Sequence, residues 1–403
     1  MSALTQLLPT PSDRMGTIWG LLAIKDACIL EYGPAGTTHF GLGPISSLEL
    51  EARGRYFVTH LDEKDVIMGN VERLEKAVLE IDTQNKPQYI FIIASSVTAT
   101  IGTDLVGISR ALQDRCNAKL EVFESGGFAG NYLVGFEMVY ERLVHLLNEI
   151  EIEAVQQNPA TDRPLRYHIL GGSPDHYRWR SDVLEIERVF DEALSAEVAQ
   201  TFLIDSALSE LGEIAKADFC LLLREEARPL AKYLQERFEI PYFEANFYGY
   251  EGSLEVVEAV AQYFGRQICD KFSDEIKAHQ AEIAYFPFYA RQLSQPLRFF
   301  SIADRDHNQG LAQAISELGF EFEAQLDITA PEPERLAALA RMDDALVFAD
   351  SESLSRLPET AQGILISFPW YDKSFYARHL PFMGPRGMDQ LAEIVHDHLM
   401  KRP

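Results

Sequence analysis

A chain of 403 residues, 47% hydrophobic and 24% charged, is long enough for two or three domains and has the composition of a folded protein rather than a disordered one. Its 36 basic and 62 acidic residues give a net charge of −26, which disfavours nucleic acid as a partner because that charge repels phosphate backbones. The sequence shows no signal-peptide pattern and no apolar stretch near the roughly 20 residues of a membrane span, so we expect a cytoplasmic protein without membrane contact.

The four cysteines offer no recognisable metal motif. Cys28, Cys116, Cys220 and Cys269 are far apart in the sequence, and none forms a CxxC pair. Cys28 and Cys220 lie in apolar runs, which is typical of inert thiols in a protein core. The sequence therefore predicts neither a disulfide framework nor a metal site built from cysteine.

Short apolar runs alternate with longer segments of helical periodicity, which predicts parallel sheets with helical crossovers. The predicted strands, in chain order, are 89–94 (YIFIIA), 166–170 (RYHIL), 217–223 (ADFCLLL), 297–302 (LRFFSI), 344–348 (DALVF) and 363–368 (GILISF). The predicted helices among them are 71–81, 183–194, 226–238 and 310–318.

This number of strands is too high for one sheet. A polar stretch at 156–164 (QQNPATDRP) and a less regular segment at 274–296, which contains Pro287 and Pro296, divide the chain into three. We therefore predict an α/β protein of three Rossmann-like, doubly wound domains with parallel sheets. The predicted domains are domain I at 1–155, domain II at 165–272 and domain III at 295–403.

Ligands of such folds bind at the carboxyl ends of the strands, so loops in those places are candidate sites. Four loops are unusual in composition: 32–40 (YGPAGTTHF), 94–104 (ASSVTATIGTD), 124–132 (ESGGFAGNY) and 367–372 (SFPWYD). The first can let its backbone approach a phosphate or a bulky cofactor, or it can simply form a tight turn; it is not a P-loop, because it lacks the lysine. His39 in this loop is a candidate ligand or general acid, with a structural hydrogen-bonding role as the alternative.

Six motifs in a fixed order carry a resemblance that spans about residues 10–400. They are 24–40 (IKDACILEYGPAGTTHF), 61–69 (LDEKDVIMG), 95–105 (SSVTATIGTDL), 126–132 (GGFAGNY), 230–242 (LAKYLQERFEIPY) and 366–387 (ISFPWYDKSFYARHLPFMGPRG). Together they resemble component 1 of nitrogenase and the nitrogenase-like oxidoreductases, a superfamily that includes the nitrogenase α and β subunits and the cofactor-assembly pair. The segment 366–387 is more similar to the β-type subunits.

The resemblance also implies where cluster ligands would lie. In the family pattern each subunit gives three cysteines to an iron–sulfur cluster at the α/β boundary, and the matching positions here are Ser12, Thr37 and Ser96. Gly36 belongs to the same predicted cofactor-binding loop. Hydroxyls lack the soft thiolate that iron–sulfur chemistry prefers, which leaves His39 as a candidate metal ligand. The chain alone is thus expected to bind no cluster, whereas a [4Fe–4S] cluster held mainly by a partner subunit stays open.

The metallocluster of the nitrogenase α subunit is implied to be absent from this chain as well. The position of its cysteine ligand falls on Leu223, and the region of its histidine ligand holds Ile366 and Ser367. The resemblance consequently assigns no catalytic residue to this chain.

Two functions follow from the resemblance. The first is a β-like subunit of a nitrogenase-like reductase: an oxidoreductase subunit, not catalytic alone, that pairs with a metallocluster-bearing α-like subunit in a heterodimer or heterotetramer and receives electrons from an ATP-dependent iron–sulfur reductase. The alternative is a cluster-free binding protein or cofactor-assembly scaffold that uses the inter-domain cleft, with a homodimer also open. The loss of the thiols favours the alternative, and the overall likeness favours the first. The sequence does not name a substrate.

Overall fold

The structure, a computed structural model, describes residues 5–36, 45, 47–152, 163–204, 206–293, 296–369 and 379–401. These residues form three four-stranded sheets, each with all its strands parallel and with helices as crossovers. The predicted α/β fold class with three doubly wound units is therefore confirmed. Among the described helices, none combines the length and the apolar composition that crossing a bilayer requires.

Unit I contains the first sheet, which lies within the predicted domain I. Its strands, in the spatial order β2–β1–β3–β4, are β1 (Cys28–Tyr32), β2 (Tyr56–Val58), β3 (Tyr89–Ala94) and β4 (Lys119–Phe123). Its helices are α1 (Asp13–Leu22), α2 (Glu63–Met68), α3 (Glu72–Gln84), α4 (Ser96–Thr100), α5 (Leu105–Gln113) and α6 (Tyr132–Glu149).

Unit II repeats this topology with the spatial order β6–β5–β7–β8. Its strands are β5 (Arg166–Leu170), β6 (Glu197–Thr201), β7 (Phe219–Leu222) and β8 (Tyr242–Glu244). Its α-helices are α7 (Trp179–Leu194), α8 (Arg228–Phe238) and α9 (Gly249–Phe264), and 3₁₀ turns span Leu208–Lys216 and Glu225–Ala227.

Unit III has the order β10–β9–β11–β12. Its strands are β9 (Arg298–Ala303), β10 (Phe322–Asp327), β11 (Ala345–Asp350) and β12 (Gln362–Ser367), and its helices are α12 (Arg305–Glu317), α13 (Glu332–Leu339) and α14 (Ser351–Leu354). The helices α10 (Asp270–Ile283) and α11 (Phe286–Gln292) connect units II and III, and α15 (Gly384–Met400) follows unit III. Met388, Leu391 and Val395 of α15 pack into one apolar core with residues of α7 and α9.

The expectation of a less regular segment at 274–296 was wrong, because most of it is helical. Phe272 and Ile276, one helical turn apart, are buried on α10, so this helix has an apolar face. Pro287 stands in the first turn of α11, where a proline is tolerated because its missing N–H has no intrahelical partner. The predicted polar break at 156–164 lies mostly outside the described residues, and the predicted domain bounds stay predictions.

In each unit, the strands that follow one another in the sequence are added first on one side of the first strand and then on the other. The strand order therefore reverses between the first and third strands of the unit. In such folds the loops after these two strands diverge to opposite faces and leave a crevice at the carboxyl edge. Tyr32 pairs with Ala94 in unit I, and Leu170 pairs with Leu222 in unit II. The residues that follow these pairs are therefore held close together by the sheet itself.

Candidate functional site

The carboxyl edge of the unit I sheet brings together three of the segments singled out in the sequence. Ser12 precedes α1 and forms an antiparallel bridge with Asn131, which follows β4. Oδ1 of Asp13 accepts hydrogen bonds from the backbone N–H groups of Ala129 (3.1 Å) and Gly130 (3.2 Å). The start of α1 is thereby fixed to the glycine-rich loop at 124–131.

Glycines allow these segments to approach one another closely. Gly127 has a φ of +99°, and a Cβ at this position would lie 3.0 Å from Oγ of Ser12. A Cβ on Gly126 would lie 3.0 Å from the carbonyl oxygen of Ser95, and one on Gly33 would lie 2.5 Å from Oγ of Ser95. Ser12 and Ser95 thus contact adjacent glycines of one turn, as the predicted cluster-position loops would require.

The individual residues predicted for this edge have different outcomes. Ser96 is the first residue of α4 and is half-buried, but the contacts described above are made by its neighbour Ser95. Gly36 is exposed, and a Cβ there would have open space around it. Thr37 and His39 lie outside the described residues. The cofactor-binding role of these positions therefore stays a prediction.

The cysteines do not lie at this edge. Cys28 begins β1 and Cys116 precedes β4, so both lie toward the opposite, amino edge of the unit I sheet. Cys220 is buried in β7, and burial raises the pKa of Cys28 to about 11 and that of Cys220 further above its usual range, so both thiols are protonated at neutral pH. Cys269 is exposed just before α10. The described residues at the carboxyl edge of unit I offer hydroxyls and not thiolates, which does not fit an iron–sulfur cluster held by this chain.

A second site lies in the cleft between units II and III, which we call the II/III cleft. The loops after β5, β7 and β9 converge there, and each of these strands borders the point where its sheet reverses order. The cavity has a volume of about 150 Å³. Its polar lining includes His176, Arg224, Glu244, Tyr248, Arg305 and His307.

Two imidazoles and one carboxylate, all buried, meet at the base of this cleft. Oδ2 of Asp304 lies 2.7 Å from Nδ1 of His307 and 3.3 Å from Nε2 of His176, and the two imidazole ring centres are 3.7 Å apart. The other carboxylate oxygen of Asp304 accepts hydrogen bonds from the backbone N–H groups of Asp306 and His307, both at 3.1 Å, and so caps α12. The cap fixes the carboxylate, and the carboxylate in turn orients the two rings.

Arg224 is the buried cation of this cluster. Its guanidinium donates a 2.9 Å hydrogen bond to Asp175 and lies 3.4 Å from Glu226 and 3.9 Å from Asp304. Burial acts to raise the pKa of Asp304, but His307 and the Arg224 guanidinium hold it well below its usual range. Burial raises the pKa of Glu226 to about 7.

The imidazole of His176 is uncharged at neutral pH. Burial, together with the neighbouring His307, lowers the pKa of His176 to about 4. Asp175 and Asp304 are ionised, because Arg224 lowers the pKa of Asp175 as well, although burial acts in the opposite direction. The cluster therefore places three carboxyl groups, those of Asp175, Glu226 and Asp304, within 4.0 Å of one buried guanidinium.

Several buried polar atoms around the cleft make no hydrogen bond to any residue of the described chain. They are Nε2 of His176, Nε and Nη2 of Arg224, Oδ2 of Asp175, Oε2 of Glu226 and the hydroxyl of Tyr248. Some of these atoms nevertheless lie close to an oppositely charged group, since Nε of Arg224 is 3.4 Å from Oε2 of Glu226 and Nε2 of His176 is 3.3 Å from Oδ2 of Asp304. Oδ2 of Asp175 and the Tyr248 hydroxyl have no such contact among the described residues, and each buried polar group without a partner costs about 1–3 kcal/mol. Their concentration in one place indicates a site whose occupant supplies the missing partners.

Comparison with known proteins identifies the fold and the family. The family model described as nitrogenase component 1 type oxidoreductase matches residues 12–400. The chain belongs to this family. The resemblance stated from the six motifs is thereby confirmed at the level of the family.

Among its relatives are proteins with assembly and catalytic names. A nitrogenase iron-molybdenum cofactor biosynthesis protein NifE of Sinorhizobium fredii is 26% identical, over 84% of this chain and 71% of the relative. A NifE of a Nostoc species is 23% identical, over 95% of this chain and 82% of the relative. A nitrogenase molybdenum-iron protein alpha chain of Methanothermobacter marburgensis is 26% identical, but this chain spans only 59% of its length. The particular likeness to β-type subunits stays a prediction.

Solved structures of nitrogenase Cp1 share the fold. One, at pH 6.5, superposes with a TM-score of 0.73 over 99% of this chain and 94% of that chain, at 16% sequence identity. Another, at pH 5, gives a TM-score of 0.61 over 98% of this chain and 72% of that chain. This likeness supports the three-unit architecture of the component 1 family.

The two positions that the resemblance matched to metallocluster ligands both lie at the II/III cleft. Leu223 lines the cavity. Ser367 forms an antiparallel bridge with His176, and the backbone N–H of Tyr177 donates to the carbonyl oxygen of Ile366 at 2.9 Å. Neither leucine nor isoleucine can bind a metal, so these positions do not fit a cluster held in the α-subunit manner. The chemistry-bearing groups of the cleft are different residues.

Sequence reasoning did not single out His176, Asp304 or His307. The available signal was their position, since Asp304 and His307 come directly after a predicted strand with a spacing of three residues. Asp175 and His176 likewise follow two glycines at the end of another predicted strand. The two loops are more than 120 residues apart in the sequence, and only the packing of unit II on unit III brings them together.

Proposed function

We propose that this chain is a binding subunit of the component 1 family that holds a ligand or a cofactor precursor in the II/III cleft without thiolate ligands. The observation that carries this proposal is the group of buried polar atoms without hydrogen bonds at and beside the cavity, among them the hydroxyl of Tyr248 in its lining. The cleft lies where the strand orders of two sheets reverse, the usual place for ligands in doubly wound folds. Two NifE relatives are named for cofactor biosynthesis, which agrees with a role in handling a ligand rather than converting it.

The chemistry of the cleft defines what it accepts. Arg224, Arg305 and the Tyr248 hydroxyl offer hydrogen-bond donors, whereas Glu225 and Glu244 offer acceptors. A ligand that presents both anionic oxygens and hydrogen-bond donors would satisfy both sets. Because the cavity is small and its base is polar, the ligand part that enters it is small and polar too.

The first test closes the cleft without disturbing its base. Gln309 is exposed and lines the cavity from the first turns of α12, so Gln309→Trp should fill the entrance. Ser316→Trp, on an exposed position further along α12, is the matched control. After anaerobic purification from the native host, native mass spectrometry should show bound mass on the wild-type chain and on Ser316→Trp, and a loss of at least about tenfold in occupancy on Gln309→Trp. A bare chain in all three preparations, or equal occupancy on Gln309→Trp, would contradict the proposal.

A second candidate is favoured by the carboxyl edge of unit I. Phe128, in the glycine-rich loop, is 69% exposed, and Ile101, at the end of α4, is 46% exposed, beside the Ser12 and Ser95 segments. Exposed large apolar side chains beside a candidate site are typical of a protein interface. They support the role of a β-like subunit that pairs with an α-like component 1 chain and, through it, works with an ATP-dependent iron–sulfur reductase.

The same purification tests this second role. A co-eluting component 1 chain that retains its cysteines, together with iron and sulfide in the complex, would support the reductase subunit. An iron-free chain that elutes alone or as a homodimer would contradict it and leave the binding function in the II/III cleft.

A further inference from the structure

We propose that His176, Asp304 and His307 bind one divalent transition-metal ion at the base of the II/III cleft. This inference rests on the proposed function, because it assigns the chemistry by which the cleft would hold its ligand. The ion would be a single metal bound by nitrogen and oxygen, and it would need neither cysteine nor sulfide.

The arrangement of donor atoms fits a metal ion. Nδ1 of His307, Nε2 of His176 and a carboxylate oxygen of Asp304 all lie within 4.8 Å of one another. Oδ2 of Asp304 lies 2.7 Å from Nδ1 of His307 and 3.3 Å from Nε2 of His176. Two ligand atoms that each lie about 2.0–2.2 Å from one tetrahedral ion are about 3.3 Å apart, so the observed distances are close to those of a metal site. Only small side-chain movements would therefore be needed to accept an ion.

The state of the atoms points the same way. His176 is buried, and its Nε2 lies 3.3 Å from Oδ2 of Asp304 without the geometry of a hydrogen bond. This nitrogen offers an electron pair to an ion in the tautomer that carries its proton on Nδ1, and the Asp304 carboxylate would then be the neighbouring ligand.

The charged groups around the site also admit a cation. Three carboxyl groups, those of Asp175, Glu226 and Asp304, lie within 4.0 Å of the Arg224 guanidinium, and Asp304 among them is a proposed ligand. The close hydrogen bond of Arg224 is to Asp175 at 2.9 Å, whereas its distance to Oδ2 of Asp304 is 3.9 Å. A divalent ion bound by Asp304 would thus have a carboxylate partner, which a buried cation requires.

The donor set indicates the class of metal. Two imidazoles and one carboxylate suit Zn²⁺, Fe²⁺, Co²⁺ or Ni²⁺, whereas Mg²⁺ and Ca²⁺ prefer all-oxygen sites. Three protein ligands leave one or more positions open, and His176 and His307 both line the cavity. The ion would thus bind directly to whatever enters the cleft.

Another group of metal-ligand side chains provides the control. Glu121, His145 and Glu149 also place ligand atoms within 4.8 Å of one another, but His145 and Glu149 are exposed. Glu121 pairs with Arg142, and Glu149 pairs with Lys119 at 3.2 Å. Their charges are therefore already balanced in solvent, and we expect no tight site there.

The test measures binding of Co²⁺ and Zn²⁺ by the full-length metal-free chain. Wild type and the control His145→Gln should bind one equivalent, with the visible absorption of Co²⁺ in a low-symmetry nitrogen–oxygen site and a rise in the unfolding temperature on adding Zn²⁺. His176→Gln and His307→Gln should each weaken binding by more than about tenfold. Circular dichroism checks that each variant folds. The effect of Zn²⁺ on the unfolding temperature is measured on wild type as well, so the test does not depend on a variant that folds.

The outcomes separate this inference from the proposed function. Absence of a Zn²⁺-induced rise in the unfolding temperature of wild type, or binding that both histidine variants retain, would overturn the metal site. If a native-host ligand still occupied the cleft in that case, the proposed function would stand without it. Conversely, Gln309→Trp leaves all three metal donors in place. If the chain bound metal but carried no native-host ligand in any preparation, only the proposed function would be overturned.

Discussion

At the scale of single residues, burial decides which histidines can take part in chemistry. His168 and His176 are both buried and both have a pKa lowered to about 4, yet their surroundings differ. His168 lies in β5 and pairs with a backbone carbonyl, so the sequence-based interpretation of a core histidine is correct. His176 follows the same strand and lies at the cleft. The seven residues between them separate a structural role from a candidate ligand.

His168 gives a prediction about stability and pH. Burial lowers its pKa from 6.5 to about 4, so the unfolded chain accepts a proton that the folded chain resists. The stability that this group contributes is present above pH 6.5 and is lost as the pH falls toward 4. The free energy of unfolding of wild type, relative to His168→Gln, should therefore fall by about 3 kcal/mol from pH 7 to pH 4.

Urea unfolding of both proteins across this pH range provides the measurement. All other titrating groups are common to the two proteins, so their contributions largely cancel in the difference. A difference that does not change with pH would show that His168 titrates alike in the folded and unfolded chains.

At the scale of secondary-structure elements, the closest helix contact lies between α1 and α6 and depends on two glycines. A Cβ on Gly16 of α1 would lie 1.9 Å from the carbonyl oxygen of Tyr132, and a Cβ on Gly135 of α6 would lie 2.1 Å from that of Asp13. Both obstacles are backbone atoms, which cannot rotate away as a side chain can. The contact also holds Ser12 against the glycine-rich loop of unit I.

We expect Gly16→Ala to separate these helices and to destabilise the chain by about 3 kcal/mol, at the upper end of typical overpacking costs. Gly212→Ala is the matched control, because Gly212 lies in a 3₁₀ turn and a Cβ there meets no atom within 4 Å. Thermal unfolding followed by circular dichroism compares the two variants. Equal unfolding temperatures for both would contradict the assigned role of Gly16.

The elements also show which parts of the fold the sequence could predict. The six predicted strands correspond to β3, β5, β7, β9, β11 and β12, and all of these except β12 are buried along most of their length, so they appear as continuous apolar runs. β10 is among the strands that the sequence pattern did not predict, because it lies at one edge of its sheet and its residues alternate between half-buried and exposed. β1 is another, because Glu31 interrupts its apolar run and is compensated by an ion pair with Arg14.

At the scale of the whole molecule, the two candidate sites lie in different places and serve different contacts. The II/III cleft is enclosed by units II and III of one chain. The carboxyl edge of unit I instead exposes Phe128 and Ile101, so it is the face that can meet another subunit. A ligand in the cleft and a partner on this edge would therefore not compete for the same surface.

Phe128→Glu tests the partner face. A charge at this position would have to be buried in an interface, so we expect recovery of the co-purifying component 1 chain to fall at least about tenfold. Leu184→Glu places the same charge on α7, where Leu184 is 49% exposed, and should leave recovery unchanged. Undiminished recovery with Phe128→Glu would exclude this residue from the interface.

The sequence by itself determined the fold class, the family and the absence of cysteine at the cluster positions. These properties depend on local patterns. The patterns are the apolar runs, each followed by a loop, and the order of the motifs along the chain. Only the tertiary structure decided which polar residues share a site. His176 and His307 follow strands of different sheets, and the sequence pattern contains no information about how one sheet packs on the next. Burial then removes water from their side chains, and this removal turns three ordinary polar residues into a candidate metal site.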